Sequence, residues 1–460
     1  MGWALEDTIV AIATSPGVGA LGVVRLSGER AFDVASRVLR RPSGGLYSLT
    51  RLPSHTVHYA FLVDPDTGEK VDEVLFSLFK APKSYTCQDT VEVTCHGGPL
   101  VLEKALEAFI RAGARLARPG EFTLRAFLLG RIDLIQAEAV ADLIESASEQ
   151  GIRAALEQLE GGLSKEMEAI TQRLKRVLVE LEASIDFSHE DLELSPDLKG
   201  EIASSLDAVE GLMTTYNEGR IRREGVRVAI VGLPNVGKST LFNALVGEDR
   251  AIVTDQPGTT RDVVEAQVSY GGRLFRFMDT AGFRESGDLA EEEGVRRARG
   301  AMETADLTLV VLDGSRPLEP GDWALMREAG DGGFLVVNKS DLPQAWPFQE
   351  LEGVARDRPL LRVSARRGDG LEDLKGALVD RAFHGGGAGE VLVTNARHFQ
   401  ALVRAREALA QCLEAWNKGL GADFLAADVK EALDALGEIT GETTPEEVLE
   451  AIFSRFCIGK

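Results

Sequence analysis

From Gly232 to Ser239 the chain reads Gly-Leu-Pro-Asn-Val-Gly-Lys-Ser, with the apolar run Val226-Arg-Val-Ala-Ile-Val before it and Thr240-Leu-Phe-Asn-Ala-Leu after it. Glycines so placed let backbone N–H groups converge on phosphate oxygens, and a helix opening directly behind them adds the positive end of its dipole. Lys238 then stands to bridge β- and γ-phosphates and the Ser239 hydroxyl to ligate Mg2+, while Asn235, Val236, Gly237 and Thr240 complete the cradle. A Gly-rich turn alone would match these residues, but it would not need the strand before and the helix after.

Three more elements follow in order. Asp279-Thr280-Ala281-Gly282 ends the run Leu274-Phe-Arg-Phe-Met, which suits Asp279 to the Mg2+ shell and the Gly282 N–H to the γ-phosphate. Asn338-Lys339-Ser-Asp341 ends Phe334-Leu-Val-Val. A carboxylate there accepts from both N1–H and the exocyclic amine of guanine, whereas adenine presents an acceptor at N1. Ser364-Ala365 closes Leu361-Arg-Val and offers a main-chain N–H to the base. Four such elements in this order, each at the C-terminal end of a strand, identify a GTPase domain.

The turnover chemistry departs from the Ras pattern. After Asp279-Thr-Ala-Gly282, Ras-like proteins carry a Gln that orients the attacking water; Phe283 stands there instead. Asn235 and the segment Thr254-Asp255-Gln256-Pro257-Gly258-Thr259-Thr260 are suited to hold a monovalent cation beside the phosphates, with Thr260 as the second hydroxyl on Mg2+. Glu291-Glu-Glu-Gly294 supplies carboxylates downstream that could orient water, although such a run also suits a solvated helix start.

These residues need elements to carry them. Residues 1–118 read as a mixed α/β domain, with strand-like runs such as Leu21-Gly-Val-Val-Arg-Leu, Val71-Asp-Glu-Val-Leu-Phe and Thr90-Val-Glu-Val-Thr, and a helix opening at Pro99. Residues 119–222 change to helical spacing, seen in Leu134, Ala137, Ala141 and Ile144, then in Leu174, Leu178, Leu181 and Ile185. The same texture returns over 385–460, with Ala401, Ala405, Leu409 and Cys412 on one stripe and Gly385-Gly-Gly-Ala-Gly as a flexible entry. The expected architecture is multidomain: an N-terminal α/β domain, a discontinuous all-α helical domain, and a Ras-like P-loop α/β G domain inserted at 223–384.

Composition bounds the rest. The 460 residues carry 51 Lys+Arg against 73 Asp+Glu, a net charge of −22, so nucleic acid must meet a local basic patch or a partner's surface. Four scattered cysteines make neither a disulfide framework nor a zinc pattern. There is no signal-like start and no run of roughly 20 apolar residues, so a cytoplasmic protein without a membrane role is expected.

From end to end the chain resembles the bacterial tRNA-modification GTPases of the MnmE (TrmE) family. The resemblance rests on Asp7-Thr-Ile-Val-Ala, Leu26-Ser-Gly, Thr94-Cys-His-Gly-Gly-Pro, Ala117-Arg-Pro-Gly-Glu-Phe-Thr, Asp133-Leu-Ile-Gln-Ala-Glu-Ala and the terminal Phe456-Cys457-Ile-Gly-Lys460, beside the GTPase motifs. It implies a homodimer whose potassium-dependent GTPase works with a flavoprotein partner, MnmG. Together they would place an aminomethyl or carboxymethylaminomethyl group on C5 of the wobble uridine, position 34, of certain tRNAs, which the partner could largely hold. The carbon would come from a 5-formyl- or 5,10-methylene-tetrahydrofolate. Carried over by position, Asn235, Thr254, Gln256 and Thr259 are potassium ligands and Glu291 the water-orienting carboxylate. Arg25, Glu92, Arg131 and Lys460 would contact the folate, with Cys457 near the one-carbon unit.

Plainer readings compete with these assignments. Arg25 suits a solvent-facing strand charge, Glu92 simple in–out alternation, Arg131 a surface helix start, and Cys457 a buried, inert thiol. For the whole chain the competitors are a ribosome-assembly switch and a signalling or scaffolding GTPase. No KH-like unit or basic tail flanks the G domain to favour the former.

Overall fold

The computed structural model describes residues 5–186, 197–247, 264–279, 299–330, 333–355, 358–382 and 391–459. It divides into two compact units. Met1–Ala141, Gln158–Ala203 and Glu407–Lys460 make the first; Asp142–Glu157 and Ser204–Arg406 make the second.

The first unit is built on seven strands: β1 (Ile9–Ile12), β2 (Leu21–Ser27), β3 (Leu39–Arg40), β4 (Thr56–Val63), β5 (Lys70–Phe79), β6 (Thr90–His96) and β7 (Arg115–Leu116). They lie in the order β3-β4-β5-β6-β2-β1-β7, antiparallel except where β7 runs along β1. Side chains alternate across the sheet. Val24, Leu26, Phe76, Leu78, Val91 and Val93 point inward, where helices α1 (Ala31–Val38) and α2 (Pro99–Arg111) cover them with Phe32, Val38 and Phe109. Arg25 and Glu92 fall on the opposite face, in register with each other. Beyond α2 come α3 (Glu121–Leu128), α4 (Leu134–Glu145), which is in this unit as far as Ala141, and α6 (Gly162–Asp186), while α5 (Glu149–Leu159) belongs to the second unit as far as Glu157.

The helical stripes differ in detail from their sequence expectation. Leu134 and Ala137 are buried, but Ile144 is 48% exposed, so the stripe on α4 fades toward its C-terminus. On α6 the buried row is Leu163, Met167, Ile170, Leu174, Val177 and Leu181, which replaces the expected Leu178 and Ile185. Steps alternating between four and three keep that row facing one partner helix. The partner is Ala422–Thr440, which buries Leu425, Val429, Ala432, Leu436 and Ile439 at the same alternating steps. Ala401, Ala405, Leu409 and Cys412 are buried as one stripe.

In the second unit α7 (Asp197–Thr214), which belongs to it from Ser204 on, and α8 (Tyr216–Glu224) lead into β8 (Val226–Val231), α9 (Lys238–Val246), β9 (Val264–Tyr270), β10 (Arg273–Asp279), β11 (Leu307–Asp313), β12 (Gly333–Asn338) and β13 (Leu360–Arg362). The sheet order is β13-β12-β11-β8-β10-β9, with β9 alone antiparallel. Strands β8, β11 and β12 are wholly or almost wholly buried, as a parallel sheet covered on both faces requires. Arg220 of α8 is clamped to Asp306, which also accepts from the Arg227 N–H at 2.9 Å, so helix and first strand share one acidic anchor.

Candidate functional site

The phosphate loop lies where β8 ends and α9 begins. Asn235 and Gly237 hold left-handed backbone, at φ of 64° and 99°. The glycines are fixed by close approach: a Cβ on Gly232 would stand 2.5 Å from the Val311 carbonyl oxygen, and one on Gly237 2.3 Å from Asn338 Nδ2. Lys238 curls over the loop and donates from Nζ to the carbonyls of Gly232 and Leu233, each at 3.0 Å. Ser239 and Thr240 are exposed in the first turn of α9, where dipole and hydroxyl would suit an anion and its metal; Val236 is buried beneath.

The residues expected to recognise the base gather at the ends of β12 and β13. Asn338 donates from Nδ2 to the Val236 carbonyl at 2.9 Å and accepts the Ala365 N–H on Oδ1 at 3.0 Å. One buried amide therefore joins the phosphate loop, the Asn-Lys-Ser-Asp turn and the Ser-Ala loop. The Ser364 hydroxyl donates to Asp341 Oδ1 at 2.7 Å. That bond holds the Asp341 carboxyl below the usual carboxylate range and leaves Oδ2 for a second donor. Asp279 ends β10 beside Ile230 of β8, so its backbone reaches the same edge of the sheet.

Several sequence candidates lie outside the described residues: Thr254, Asp255, Gln256, Pro257, Gly258, Thr259, Thr260, Thr280, Ala281, Gly282, Phe283, Glu291 and Lys460, with the Asp279 side chain. The Gly385-Gly-Gly-Ala-Gly stretch lies outside them too.

In the first unit the sheet's outer face assembles a second constellation. Arg25 donates from Nε to Glu92 Oε1 at 2.8 Å and from Nη1 to the Gly459 carbonyl at 3.3 Å. Its guanidinium lies 5.5 Å from the ring centre of Tyr85 and 5.7 Å from that of Phe122. Arg131 covers the Tyr85 ring at 4.9 Å and donates to the Tyr85 carbonyl at 2.7 Å. The Tyr85 hydroxyl pairs with Thr123 at 2.9 Å. Arg25 and Arg131 thus meet around one aromatic ring, with Glu92 joined through Arg25; sequence reasoning passed that ring over, since a tyrosine in a loop was its only signal.

Two plain readings give way here. Arg25 is only 15% exposed, because Phe122, Tyr85 and the C-terminal tail close over its strand face. Cys457 is exposed; the buried thiols are Cys95 and Cys412, both pushed up to about 12 by burial. The tail is seated by Phe456, which is buried, and by Gly459, whose φ of 98° and closeness to β1 leave no space for a side chain. A Cβ there would stand 2.4 Å from the Ile12 carbonyl oxygen.

The same unit holds an ionic group of four side chains, of which Arg125 and Glu121 are buried. Arg125, 1% exposed, pairs with Asp7 and Glu121, and Arg115 pairs with the same two carboxylates. Burial works against the charged forms of both acids. The hydrogen bonds from Arg115 and Arg125 nevertheless hold them below the usual range.

Comparison with known proteins shows the family of the chain. A family model described as the GTP-binding protein TrmE N-terminus matches residues 8–131, and one described as the MnmE helical domain matches residues 134–457. The chain is similar to the tRNA modification GTPase MnmE of Moorella thermoacetica, 44% identical over 463 residues, with 99% of this chain and 100% of that one covered. It is 47% identical over 462 residues to the MnmE of Syntrophotalea carbinolica, covering 99% of each. Among solved structures, the G domain of the T. maritima FeoB iron transporter is 30% identical over 34% of this chain and 99% of that one, with a TM-score of 0.27.

Proposed function

The chain belongs to the MnmE family of tRNA-modification GTPases, and from that premise we propose that it is the potassium-dependent GTPase subunit of a complex that modifies C5 of the wobble uridine, position 34, of certain tRNAs. A flavoprotein, MnmG, is the partner, and a tetrahydrofolate derivative supplies the carbon. The observation that carries this reading is the meeting of Arg25, Glu92, Tyr85 and Arg131 beside the C-terminal tail. A pterin presents an N–H edge that a carboxylate satisfies and a ring that an aromatic or guanidinium face covers, and its glutamate tail calls for cations. Glu92 suits the first, Tyr85 and Arg25 the second, and Arg131 with Lys460 the third. A bound one-carbon folate would supply the carbon electrophile; these side chains bind and orient it, and the exposed Cys457 thiol sits on the same tail.

In the second unit GTP and Mg2+ belong to the phosphate loop. Lys238 turns from the loop carbonyls to the β- and γ-phosphates and the Ser239 hydroxyl takes the metal. Asn235 with Thr254, Gln256 and Thr259 would hold potassium, and Glu291 would orient the water that Phe283 cannot. Homodimerisation is supported by the outer face of the first sheet, where Val57, Tyr59 and Leu75 are exposed on adjacent strands. No helix among the described residues is long and apolar enough to cross a membrane, and a cytoplasmic location accords with the reading.

Calorimetric titration of the full chain with 5-formyl-tetrahydrofolate tests the folate site. Saturable binding that Glu92→Gln weakens at least about tenfold is expected, from loss of a charge-assisted hydrogen bond. No binding, or binding indifferent to Glu92 and Arg25, would leave a GTPase whose first unit serves another end. Equal turnover in potassium and sodium chloride would remove the cation assignment.

A further inference from the structure

The end of β11 carries a carboxylate that none of the nucleotide motifs includes. Asp313 is in register with Asn338, and its side chain is only 6% exposed. Oδ2 accepts from Lys339 Nζ at 2.6 Å, while Oδ1 accepts from the Ser315 N–H at 2.8 Å and the Ser315 hydroxyl at 2.6 Å. The nearest other cation, Arg316, keeps its Nε 4.0 Å from Oδ2 and turns to Glu319 and Asp322. Lys339 itself holds left-handed backbone, φ 63°, without being glycine. Such a residue persists where its surroundings over-determine it. The surroundings here are bonds at both ends: Gly314 N–H to the Asn338 carbonyl at 3.0 Å, Trp346 Nε1 to the Asp313 carbonyl at 3.4 Å, and the ammonium clamped on Asp313.

We propose that Asp313 is a positioning residue for guanine-nucleotide binding, acting through Lys339. Lys339 lies between Asn338, which ties the phosphate loop, and Asp341, proposed to read the base, so its methylene stem would border a purine held by that turn. A free lysine stem samples many rotamers, and ordering it on binding weakens affinity. Asp313 removes that loss in advance by fixing the far end of the stem while the nucleotide is absent. Burial works against the carboxylate, yet Lys339 and Ser315 hold it ionised below its usual range, so the clamp is in force at neutral pH. The inference rests on the GTPase identity of the family alone and is independent of the folate reading.

The plain alternative is that Asp313 only closes the Ser315 turn. A double-mutant cycle on the full chain separates the two, with GDP and a non-hydrolysable GTP analogue titrated calorimetrically. Asp313→Asn keeps an acceptor for Ser315 and loses the charge that holds Lys339. It is expected to weaken both nucleotides about tenfold, the loss of one charge-assisted hydrogen bond. On a Lys339→Met background the same change is expected to add less than about twofold, and Ser315→Ala alone to stay within about twofold. Equal losses on both backgrounds, an Asp313→Asn protein that binds as the parent does, or a Ser315→Ala loss matching that of Asp313→Asn would each overturn the proposal. So would disappearance of the thermal transition of nucleotide-free Asp313→Asn, which would assign the residue to the fold.

Discussion

Asn338 donates from its side-chain amide to the backbone carbonyl of Val236 at 2.9 Å, across 102 positions of sequence. Through this one bond the turn proposed to read guanine is tied to the loop proposed to hold phosphate. On that reading, base recognition and phosphate binding are coupled before any ligand arrives.

Removing that amide should loosen both halves together. Asn338→Ala leaves the Val236 carbonyl and the Ala365 N–H without their partner inside a buried site. A loss of about 1–3 kcal/mol for each orphaned group is the ordinary cost, so GTP and GDP are expected to weaken alike by at least about tenfold. Titration with both nucleotides checks this. A variant that lost GTP but kept GDP would show that Asn338 serves the γ-phosphate and not the shared scaffold.

Gly237 supports a sharper expectation. A methyl group there would meet Asn338 Nδ2 at 2.3 Å on backbone of φ 99°, so Gly237→Ala should push Asn338 off Val236 and abolish measurable nucleotide binding. Gly271→Ala is the matched control, since its Cβ meets nothing within 4 Å at φ 58°. The control should show only the left-handed penalty, about 1 kcal/mol of stability, with binding intact. Equal binding by the two variants would contradict the close approach.

How far such a site can be read from sequence depends on which contacts are local. The phosphate loop and the Asn-Lys-Ser-Asp turn were legible as strand ends because each motif is contiguous, whereas the bond that joins Asn338 to Val236 spans 102 positions. Alternation along β2 and β6 put Arg25 and Glu92 on outward positions. Their pairing needed the register between strands 67 positions apart, which no local pattern encodes. Tyr85 was missed because its importance comes from Arg25, Arg131 and Thr123 converging on it from three separate segments. Asp313 was missed for a related reason: within its own segment it is only the polar end of an apolar strand. The stripes on α4 and α6 were partly misjudged because a helix drifts against a strict repeat, and only the partner helix decides which residues stay buried.

The tail makes its own prediction. Gly459→Ala would drive a methyl group into the Ile12 carbonyl at 2.4 Å, so the last residues should leave the sheet and Arg25 should lose its bond to the Gly459 carbonyl. Carboxypeptidase digestion followed by intact-mass measurement should then remove the tail beyond Phe456 much faster than in the parent, with nucleotide affinity unchanged. A tail equally resistant in both proteins would mean that Gly459 is not what seats it.

The ionic group around Arg125 gives the first unit an acid limit. Asp7 and Glu121 both have carboxyls lowered in the folded state by Arg115 and Arg125. A lowered folded-state value means that the stabilisation is complete above the unfolded-state value, about 4 for a carboxylate, and drains away as pH falls through the folded one. These acids therefore leave stability flat between pH 6 and 8 and erode it below about 4. Glu121→Gln should remove part of this dependence. At pH 7 it strips one charge from an Arg125 that is 1% exposed, and breaking a buried pair in this way costs about 3 kcal/mol or more. At pH 3, below the unfolded-state value, the carboxyl of the unfolded parent is already protonated, so the gap between parent and variant should narrow. Urea unfolding of both proteins at the two pH values, followed by circular dichroism, measures that gap. A difference that held constant or widened in acid would show that Glu121 contributes through packing and not through its charge.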